Sequence, residues 1–359
     1  MLKKQVAILF GGASSEHEVS RQSAFAIIKN ISREKYDILT LGISKSGSWY
    51  LYSGDINKIP NGEWEFDKLN LKKALISPDP ADKGLIVFND DNTFKKINID
   101  VIIPVLHGKN GEDGTVQGLF ELSKIPYVGC DVLSSSTCMD KIDTNIILSY
   151  CGIKKAKFVF LTAFEFNKDS EFCINKIESQ IQAYPMFVKP SNAGSSVGIS
   201  KVKNRSELYN AIKVAIKEDS RILIEESIDG QEVECAVLGN DEPTTSLVGE
   251  IAPSNEFYDY DAKYVSDSSL YIPAHISDET SEKVKAIAIK AYKAMGCKGL
   301  SRIDFFVQKE TNEVLLNEIN TFPGFTSISM YPKLMDKIGI SFTSLIDKLI
   351  ELAIERASN

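Results

Sequence analysis

Two short segments on either side of residue 311 constrain the fold of this chain more than any other feature. Residues 300–307 (LSRIDFFV) and 313–321 (EVLLNEINT) both have the composition of β-strands, and a short polar turn separates them. The pattern therefore predicts a β-hairpin. If the hairpin is centred on Thr311, Asp304 lies directly opposite Glu318. Like charges that face each other in this way destabilise a sheet, so the pairing calls for a compensating cation.

The same hairpin places Arg302 opposite Asn320, and the two-residue period of a strand puts all four polar side chains on one face. The carboxylates of Asp304 and Glu318 and the amide oxygen of Asn320 are suitable ligands for a hard cation such as Mg²⁺. The alternative is a solvated polar face. Because the other face is apolar and the second strand runs into NTFPGFTS, which is typical of a binding loop, we expect a metal site.

The composition of the chain excludes several classes of protein. Its 359 residues are 43% hydrophobic and 25% charged, which is typical of a globular protein with two or three domains. The net charge of −8 argues against DNA or RNA as a main partner. Six cysteines without a CxxC pair predict reduced thiols and a cytoplasmic location. The N-terminal apolar run is too short for a signal peptide, and no segment approaches the ~20 apolar residues of a membrane span.

The order of the predicted elements divides the chain into three domains of an α/β protein. Residues 1–129 alternate strands and helices, which predicts a mostly parallel sheet covered on both faces. Residues 130–225 combine helices with a glycine-rich hairpin. Residues 226–359 begin with a strand and continue with a long loop, a helix, the metal hairpin and a final amphipathic helix.

Two loops in the first domain follow predicted strands. The first, GGASSEHEVS (11–20), places Glu16 at the start of a helix. There it either interacts favourably with the helix dipole or holds a cationic group such as an ammonium. The second, HGKNGEDG (107–114), lies at the carboxyl end of a buried strand, which is the usual binding crevice of an open α/β sheet. His107 in this loop is either a structural histidine or part of a site.

The glycine-rich hairpin of the second domain is suited to phosphate. In VKPSNAGSSVGISKV (188–202), Gly194 and Gly198 flank Ser195, and backbone N–H groups in such a loop can bind phosphate oxygens. Lys189, at the end of the preceding strand, is a natural phosphate partner. The loop is not a P-loop, because strands flank it on both sides and GxxxxGK[ST] does not occur. The alternative is an ordinary glycine-rich hairpin.

Acidic residues mark the junction of the second and third domains. The segment ILIEESIDGQEVE (222–234) places Glu225 and Glu226 at a strand end and Glu232 beyond a turn. A strand end between two lobes can bind adenine through its backbone, and a glutamate can bond ribose hydroxyls; the alternative is a solvated turn. The long, Tyr-rich segment 257–271 is typical of a lid or binding loop.

Taken together, the motifs resemble those of a known family. GGxSxEHEVS, HGxxGEDG, MDK, VKPxxxGSSVG, AKY, RIDFF and NEINTxPGFTS occur in this order. The chain, from Ile8 to about Leu352, resembles the D-alanine–D-alanine ligases of the ATP-grasp superfamily and is close to the D-Ala–D-Ser resistance-type ligases. The resemblance implies an ATP-grasp fold with an N-terminal Rossmann-like (pre-ATP-grasp) domain. It also implies a cytoplasmic homodimer that acts on D-alanine and ATP in peptidoglycan precursor synthesis.

The resemblance also implies how ATP and metal are bound. Enzymes of this superfamily phosphorylate a carboxylate and then let an amine attack the acyl phosphate. Two Mg²⁺ or Mn²⁺ ions would be held by Asp304, Glu318 and Asn320. The residues that would bind ATP are Lys141, Lys189, Glu225, Glu226, Ile228, Glu232 and Lys263.

For the amino-acid substrates, the resemblance implies that Glu16 receives the ammonium of the first D-alanine and that His107 lines the substrate site. Arg302 and the backbone N–H of Gly324 would stabilise the oxyanion of the tetrahedral intermediate. Two further groups complete the implied site. Glu16, Ser195 and Tyr264 would form a hydrogen-bonded trio between the N-terminal domain and the lid, and Ser329 and Met330 would line the second D-alanine site.

Two residues of the chain bear on the identity of the second substrate. D-Ala–D-Ser ligases often carry Arg where this chain has Met330, and D-lactate ligases lack the tyrosine found here as Tyr264, so both residues favour D-alanine. Ile328 stands where the family often has histidine, which puts one polar contact in doubt. A D-Ala–D-Ser ligase and a non-catalytic nucleotide-binding regulator on the same scaffold are the alternatives.

Overall fold

The computed structural model describes residues 3–194, 197–252 and 269–358, whose strands form three sheets. The first sheet has the strand order β6-β5-β4-β3-β2-β1-β7. Its strands are β1 Lys4–Gly11, β2 Tyr36–Ile43, β3 Trp49–Tyr52, β4 Leu71–Ile76, β5 Gly84–Phe88, β6 Phe94–Asn98 and β7 Val101–Val105.

The first sheet is mixed, whereas the strand–helix alternation predicted a mostly parallel one. Strand β1 runs parallel to β2 and to β7, but the pairs from β2–β3 to β5–β6 are antiparallel. The antiparallel part is built from residues 49–98, where short turns and 3₁₀ segments join the strands. Such turns suffice for antiparallel neighbours, whereas a parallel pair needs a long crossover.

Helices pack around this sheet and extend its core. They are α1 His17–Asn30, α2 Lys58–Asn61 and α3 Thr115–Ser123. Phe10 packs edge-on against the fully buried Trp64, with ring centroids 5.0 Å apart. The same apolar cluster continues into the C-terminal part of the chain through Phe322, Phe325 and Tyr331. The first and third sheets are therefore joined by a common core.

The second sheet is antiparallel, with the order β10-β9-β11-β8. Its strands are β8 Phe158–Thr162, β9 Met186–Pro190, β10 Ser200–Val202 and β11 Arg221–Glu226. The helices that precede or cover it are α4 Val132–Met139, α5 Lys141–Tyr150, α6 Ala163–Lys168, α7 Ser170–Ile181 and α8 Arg205–Ala215. Its apolar cluster is a separate one, with buried members from Val159 to Ile224. The β9–β10 pairing confirms the predicted glycine-rich hairpin.

The third sheet has the order β14-β13-β12-β15-β16. Its strands are β12 Gly230–Gly239, β13 Thr244–Ala252, β14 Ser269–Tyr271, β15 Gly299–Gln308 and β16 Val314–Asn320, and its helices are α9 Asp278–Ala294, α10 Met330–Lys337 and α11 Phe342–Ser358. Strand β13 lies where the sequence suggested the start of a long loop, so that expectation was wrong. No helix among the described residues is long and apolar enough to span a membrane.

Candidate active site

The pairing of β15 with β16 confirms the predicted site face. Asp304 lies opposite Glu318, and Arg302 lies opposite Asn320. Burial alternates in the way this face requires, since Ile303 between the two polar residues of β15 is fully buried in the core. The two carboxylates and the amide that the sequence placed together are therefore neighbours in the fold.

The turn side of the hairpin differs from the prediction by one residue. A regular hairpin centred on Thr311 would pair Phe305 with Asn317, but Phe305 pairs with Leu316 and a β-bulge follows at once. The two-residue period of a strand carries no signal for such an extra residue. The bulge restores the predicted register at Asp304.

Asp304 is held by its neighbours on the same face. Arg302 donates from Nε to Oδ1 at 2.8 Å and from Nη2 to Oδ2 at 2.7 Å, and Asn320 donates to Oδ2 at 3.0 Å. Arg302 also lies 3.1 Å from a carboxylate oxygen of Glu234. Burial alone would lower the pKa of Arg302, but Asp304 and Glu234 raise it well above its usual value. The guanidinium is thus permanently charged at the centre of the site.

A second charged cluster lies at the junction of the second and third sheets. Lys189 forms an ion pair of 2.6 Å with Glu225, which also accepts a 2.9 Å hydrogen bond from Asn145. Burial would raise the pKa of the Glu225 carboxyl, but Lys189 and Lys155 hold it below its usual value. Burial would likewise lower the pKa of Lys189, yet Glu225 and, at longer range, Glu318 raise it. Lys189, on the glycine-rich hairpin, is therefore under the electrostatic influence of Glu318 on the β15–β16 hairpin.

Other residues predicted to bind the nucleotide border the same junction. Lys141 begins α5 and donates from Nζ to the carbonyl of Ala193 in the glycine-rich loop at 2.6 Å. Glu226 ends β11, and Glu232 on β12 lies opposite Phe306 of β15. Ile228 lies in the short connection between these two strands. The predictions for Ser195, Lys263 and Tyr264 fall outside the described residues.

Glu16 lies where the first sheet meets the glycine-rich loop. It is the residue before α1 and is 7% exposed. A Cβ placed on Gly108 would come within 2.2 Å of a Glu16 carboxylate oxygen, and one on Gly194 within 2.7 Å. Only glycine leaves room for this carboxylate at both positions, which brings together the loops that follow β1, β7 and β9.

His107 connects the first sheet to the loop that carries Gly324. Its Nδ1 lies 3.1 Å from the carbonyl of Phe322, and its Nε2 lies 3.1 Å from the hydroxyl of Ser23. A carbonyl only accepts, so Nδ1 carries the proton and the Ser23 hydroxyl donates to Nε2. Ser23 Oγ in turn accepts the N–H of Phe325 at 3.2 Å. Burial lowers the pKa of His107, which agrees with a neutral ring.

Glu112 is a site residue that the sequence had not singled out for a role. Its two carboxylate oxygens accept the N–H groups of Gly108 at 2.8 Å and of Phe322 at 3.1 Å. Burial and the nearby charge of Glu16 raise the pKa of Glu112 to about 8, although these two hydrogen bonds act in the opposite direction. The GEDG motif indicated a tight polar loop, but not its contact with a residue 210 positions away.

Ser329 and Met330 lie at the start of α10. The Ser329 hydroxyl bonds Thr326, at 3.0 Å from its backbone nitrogen and 2.8 Å from its hydroxyl. Met330 is 6% exposed and packs against β13, where a Cβ on Gly249 would meet its sulfur at 2.9 Å. Ser329 thus shapes the loop after β16, and the Met330 side chain belongs mainly to the core.

This combination of sheets and charged residues defines the class of the protein. A carboxylate–amide face on one hairpin, a lysine-bearing glycine-rich hairpin opposite it and an α/β domain beside both are the parts of an ATP-grasp fold. Sequence profiles described as "D-ala D-ala ligase N-terminus" and "D-ala D-ala ligase C-terminus" match residues 5–130 and 147–351. The chain belongs to the D-alanine–D-alanine ligase family.

Known proteins agree over almost the full length. A D-alanine–D-alanine ligase of Acetivibrio thermocellus is 53% identical over 99% of this chain and 96% of the relative. One from Clostridium acetobutylicum is 51% identical over 99% of both. Among solved structures, the VanG D-Ala:D-Ser ligase from Enterococcus faecalis has a TM-score of 0.89 and 45% identity, covering 98% of this chain and 100% of that one. The D-alanine–D-alanine ligase from Coxiella burnetii has a TM-score of 0.85 and 35% identity, covering 99% and 96%.

Proposed function

We propose that this protein joins two D-alanine molecules to D-alanyl-D-alanine with the hydrolysis of ATP to ADP. The reaction would supply a peptidoglycan precursor and so support cell wall biogenesis and cell shape. The observation that carries the proposal is the face shared by Arg302, Asp304, Glu318 and Asn320, which lies beside the Lys189–Glu225 pair. A protein that only bound nucleotide would have no need of this complete charged face.

The donor set of the hairpin fits Mg²⁺ or Mn²⁺. Asp304, Glu318 and Asn320 offer oxygen ligands on one face, and a hard cation takes one or two carboxylates together with phosphate oxygens. Two such ions would neutralise the phosphate charge that develops during transfer. Lys141 and Lys189 would bind the phosphates from the other side of the cleft.

The nucleoside would lie at the junction of the second and third sheets. The backbone around Glu226 and Ile228 would meet adenine, and Glu232 would bond the ribose. Glu225 would orient Lys189 through their ion pair, which is already formed at 2.6 Å. Lys263, from the segment 257–271, would reach the transferred phosphoryl group.

The amino-acid site would use residues from the first and third sheets. Glu16 would bind the ammonium of the first D-alanine, whose carboxylate becomes the D-alanyl phosphate. Arg302 and the Gly324 N–H would stabilise the oxyanion when the second amine attacks. Ser195 and Tyr264 would close the site together with Glu16, because an acyl phosphate must be kept from water. His107 and Ser329 would shape the two amino-acid sites.

D-Serine is the competing second substrate. It is favoured by the likeness to the Enterococcus faecalis D-Ala:D-Ser ligase, whereas the apolar Met330 favours D-alanine. Burying the serine hydroxyl without a partner would cost about 1–3 kcal/mol, so the discrimination is expected to be moderate.

The test is an assay with ATP, Mg²⁺ and D-alanine, followed by identification of the products. ADP, phosphate and the dipeptide are expected only when D-alanine is present. AMP and pyrophosphate would contradict the acyl-phosphate route, and nucleotide binding without turnover would support the regulator. Adding D-serine or D-lactate as the second substrate, and comparing kcat/KM, would identify the true acceptor.

We also propose a cytoplasmic homodimer whose subunits divide into domains at residues 1–129, 130–225 and 226–359. The spans of the three sheets support these boundaries. Light scattering after size-exclusion chromatography would test the dimer, and limited proteolysis would test the boundaries.

A further inference from the structure

The bulge in β16 lies where the hairpin changes register. On the turn side Phe305 pairs with Leu316, and on the site side Asp304 pairs with Glu318, so Asn317 is the extra residue. If the turn-side register continued, Asn317 would face Asp304 and Glu318 would point to the opposite face, because side chains alternate. The bulge therefore decides which side chain faces Asp304.

A short segment, residues 154–157, covers this bulge; we call it the strap. Strand β16 is the edge of its sheet, so its outer backbone groups need partners from outside the sheet. Leu316 donates its N–H to the carbonyl of Lys154 at 3.0 Å. Lys155 donates from Nζ to the carbonyl of Asn317 at 2.6 Å. The last residue on the turn side and the bulge residue itself are thus both bound to the strap.

The other end of the strap is bound to β11. The carbonyl of Lys157 accepts the N–H of Glu226 at 3.0 Å, and the N–H of Lys157 donates to the Glu226 carboxylate at 2.8 Å. Lys155 therefore lies between two anchored residues: Lys154, bound to β16 of the third sheet, and Lys157, bound to β11 of the second sheet. Its side chain has little freedom to leave the bulge carbonyl.

The charges around Lys155 support this placement. Burial lowers its pKa to about 8; Glu225 and Glu318 oppose that shift, and Lys189 adds to it. A partly buried ammonium needs acceptors, and the Asn317 carbonyl supplies one. Because Glu318 attracts the same ammonium, Lys155 interacts both with the bulge and with the carboxylate that the bulge places opposite Asp304.

We propose that Lys155 is a positioning residue that fixes the Asn317 bulge and thereby holds Glu318 opposite Asp304 for the divalent cation. The bulge-fixing role depends only on contacts within the protein. The metal part rests on the function proposed above, so the two are tested by separate measurements.

The test compares Lys155→Met with the matched control Lys154→Met. Lys154 is the adjacent lysine, and its exposed ammonium pairs with Glu313. Its replacement leaves the Lys154 carbonyl free to accept the Leu316 N–H. Lys155→Ala, which also removes the donor to the Asn317 carbonyl, replaces Lys155→Met if that variant does not fold.

The first measurement is amide hydrogen exchange in the metal-free protein. Lys155→Met is expected to speed exchange in residues 317–320, while residues 314–315 and the Lys154→Met variant stay close to wild type. Unchanged exchange in residues 317–320 would overturn the proposal, whatever the metal does.

The second measurement is Mn²⁺ binding, followed by electron paramagnetic resonance in the presence of a non-hydrolysable ATP analogue. Residues that orient metal ligands typically contribute 10–100-fold to affinity, so Lys155→Met is expected to raise the Kd for Mn²⁺ roughly 10-fold. Metal-free ADP should bind as in wild type. An equal loss of ADP affinity would make Lys155 a nucleotide ligand and overturn the positioning role. A wild type that binds no Mn²⁺ would contradict the proposed metal site instead.

Discussion

Asp304 and Glu112 are two carboxylates of the same site that are stabilised in opposite ways. Asp304 is held by the guanidinium of Arg302 through two hydrogen bonds of 2.8 and 2.7 Å. Glu112 is held by two backbone N–H groups, and burial together with Glu16 raises its pKa to about 8. Asp304 thus faces a full positive charge, whereas Glu112 faces two peptide dipoles that fix a loop. The hairpin is therefore the charged half of the site, and the His107–Glu112 region is its positioning half.

The largest effect should come from the charged half. Glu318→Ala removes one of the two opposed carboxylates, and turnover should fall roughly 10²–10³-fold, since charge stabilisation of this kind contributes that much. Stability should change little, because repulsion from Asp304 is removed as well. Steady-state ADP release and urea unfolding would measure the two effects. Mg²⁺-dependent activity at the wild-type level would show that the paired carboxylates do not hold the metal.

Asp304→Asn should lower stability more than any change at Glu112. It leaves the guanidinium of Arg302 without its main partner, and breaking a buried ion pair costs about 3 kcal/mol. Asp304→Asn with Arg302→Met is the matched double variant, because it removes both charges of the pair and should recover part of the loss. Urea denaturation of the single and double variants would decide. Equal stabilities of Asp304→Asn and wild type would remove the distinction between the two carboxylates.

We expect Glu112 to make the free energy of unfolding depend on pH. Its pKa is raised in the folded protein, so the folded state binds the proton more tightly than the unfolded state does. The stabilisation is fully present below the unfolded pKa and is lost as the pH rises towards 8. Between pH 6.5 and 7.5 the contribution to the slope is at most about 1.4 kcal/mol per pH unit.

Glu112→Gln should remove this part of the slope, and unfolding of wild type and variant at pH 6.5 and 7.5 measures it. Glu121→Gln, on the first sheet's surface beside Tyr127, provides a control carboxylate. If the wild-type and Glu112→Gln slopes agree, the pKa of Glu112 is not raised and the contrast with Asp304 is lost.

The smallest effect is expected at Ser23. Ser23→Ala removes the hydroxyl that joins His107 Nε2 to the Phe325 N–H, and a net hydrogen bond contributes about 0.5–1.5 kcal/mol. The loop with Gly324 should lose order, so kcat should fall several-fold while the KM for ATP stays the same. Ser123→Ala, whose buried hydroxyl bonds Phe120 within α3, is the matched control. A change in the KM for ATP would place Ser23 outside the positioning half.

The sequence was most informative where one local pattern decides the geometry. Alternation along two adjacent strands placed Asp304 and Glu318 on one face, but their direct pairing also depends on the bulge at Asn317, which compensates for a turn-side register that is offset by one residue. The bulge at Asn317 could not be predicted, because the two-residue period of a strand gives no signal for an extra residue. Strand β13 was missed because Asp241, Glu242 and Pro243 suggested a loop, while its partner strand β12 is what stabilises it.

The remaining contacts of the site could not be predicted, because they join residues that are far apart in the sequence. Glu112 meets Phe322 only after the first and third sheets have packed together, and Lys155 meets Asn317 across 162 positions. The sequence shows that Glu112 and Lys155 are polar, but their partners are set by the tertiary structure. The motifs behind the family resemblance named the proposed ligands but did not indicate these positioning contacts.

The separate apolar cluster of the second sheet has a mechanical consequence. The first and third sheets share one cluster, whereas the buried members of the second sheet's cluster lie between Val159 and Ile224. A rotation of the second sheet against the other two would leave both of these apolar clusters intact. Opening and closing over a substrate would then be a rigid-body rotation of the second sheet. Its energy barrier would not include repacking of either apolar cluster.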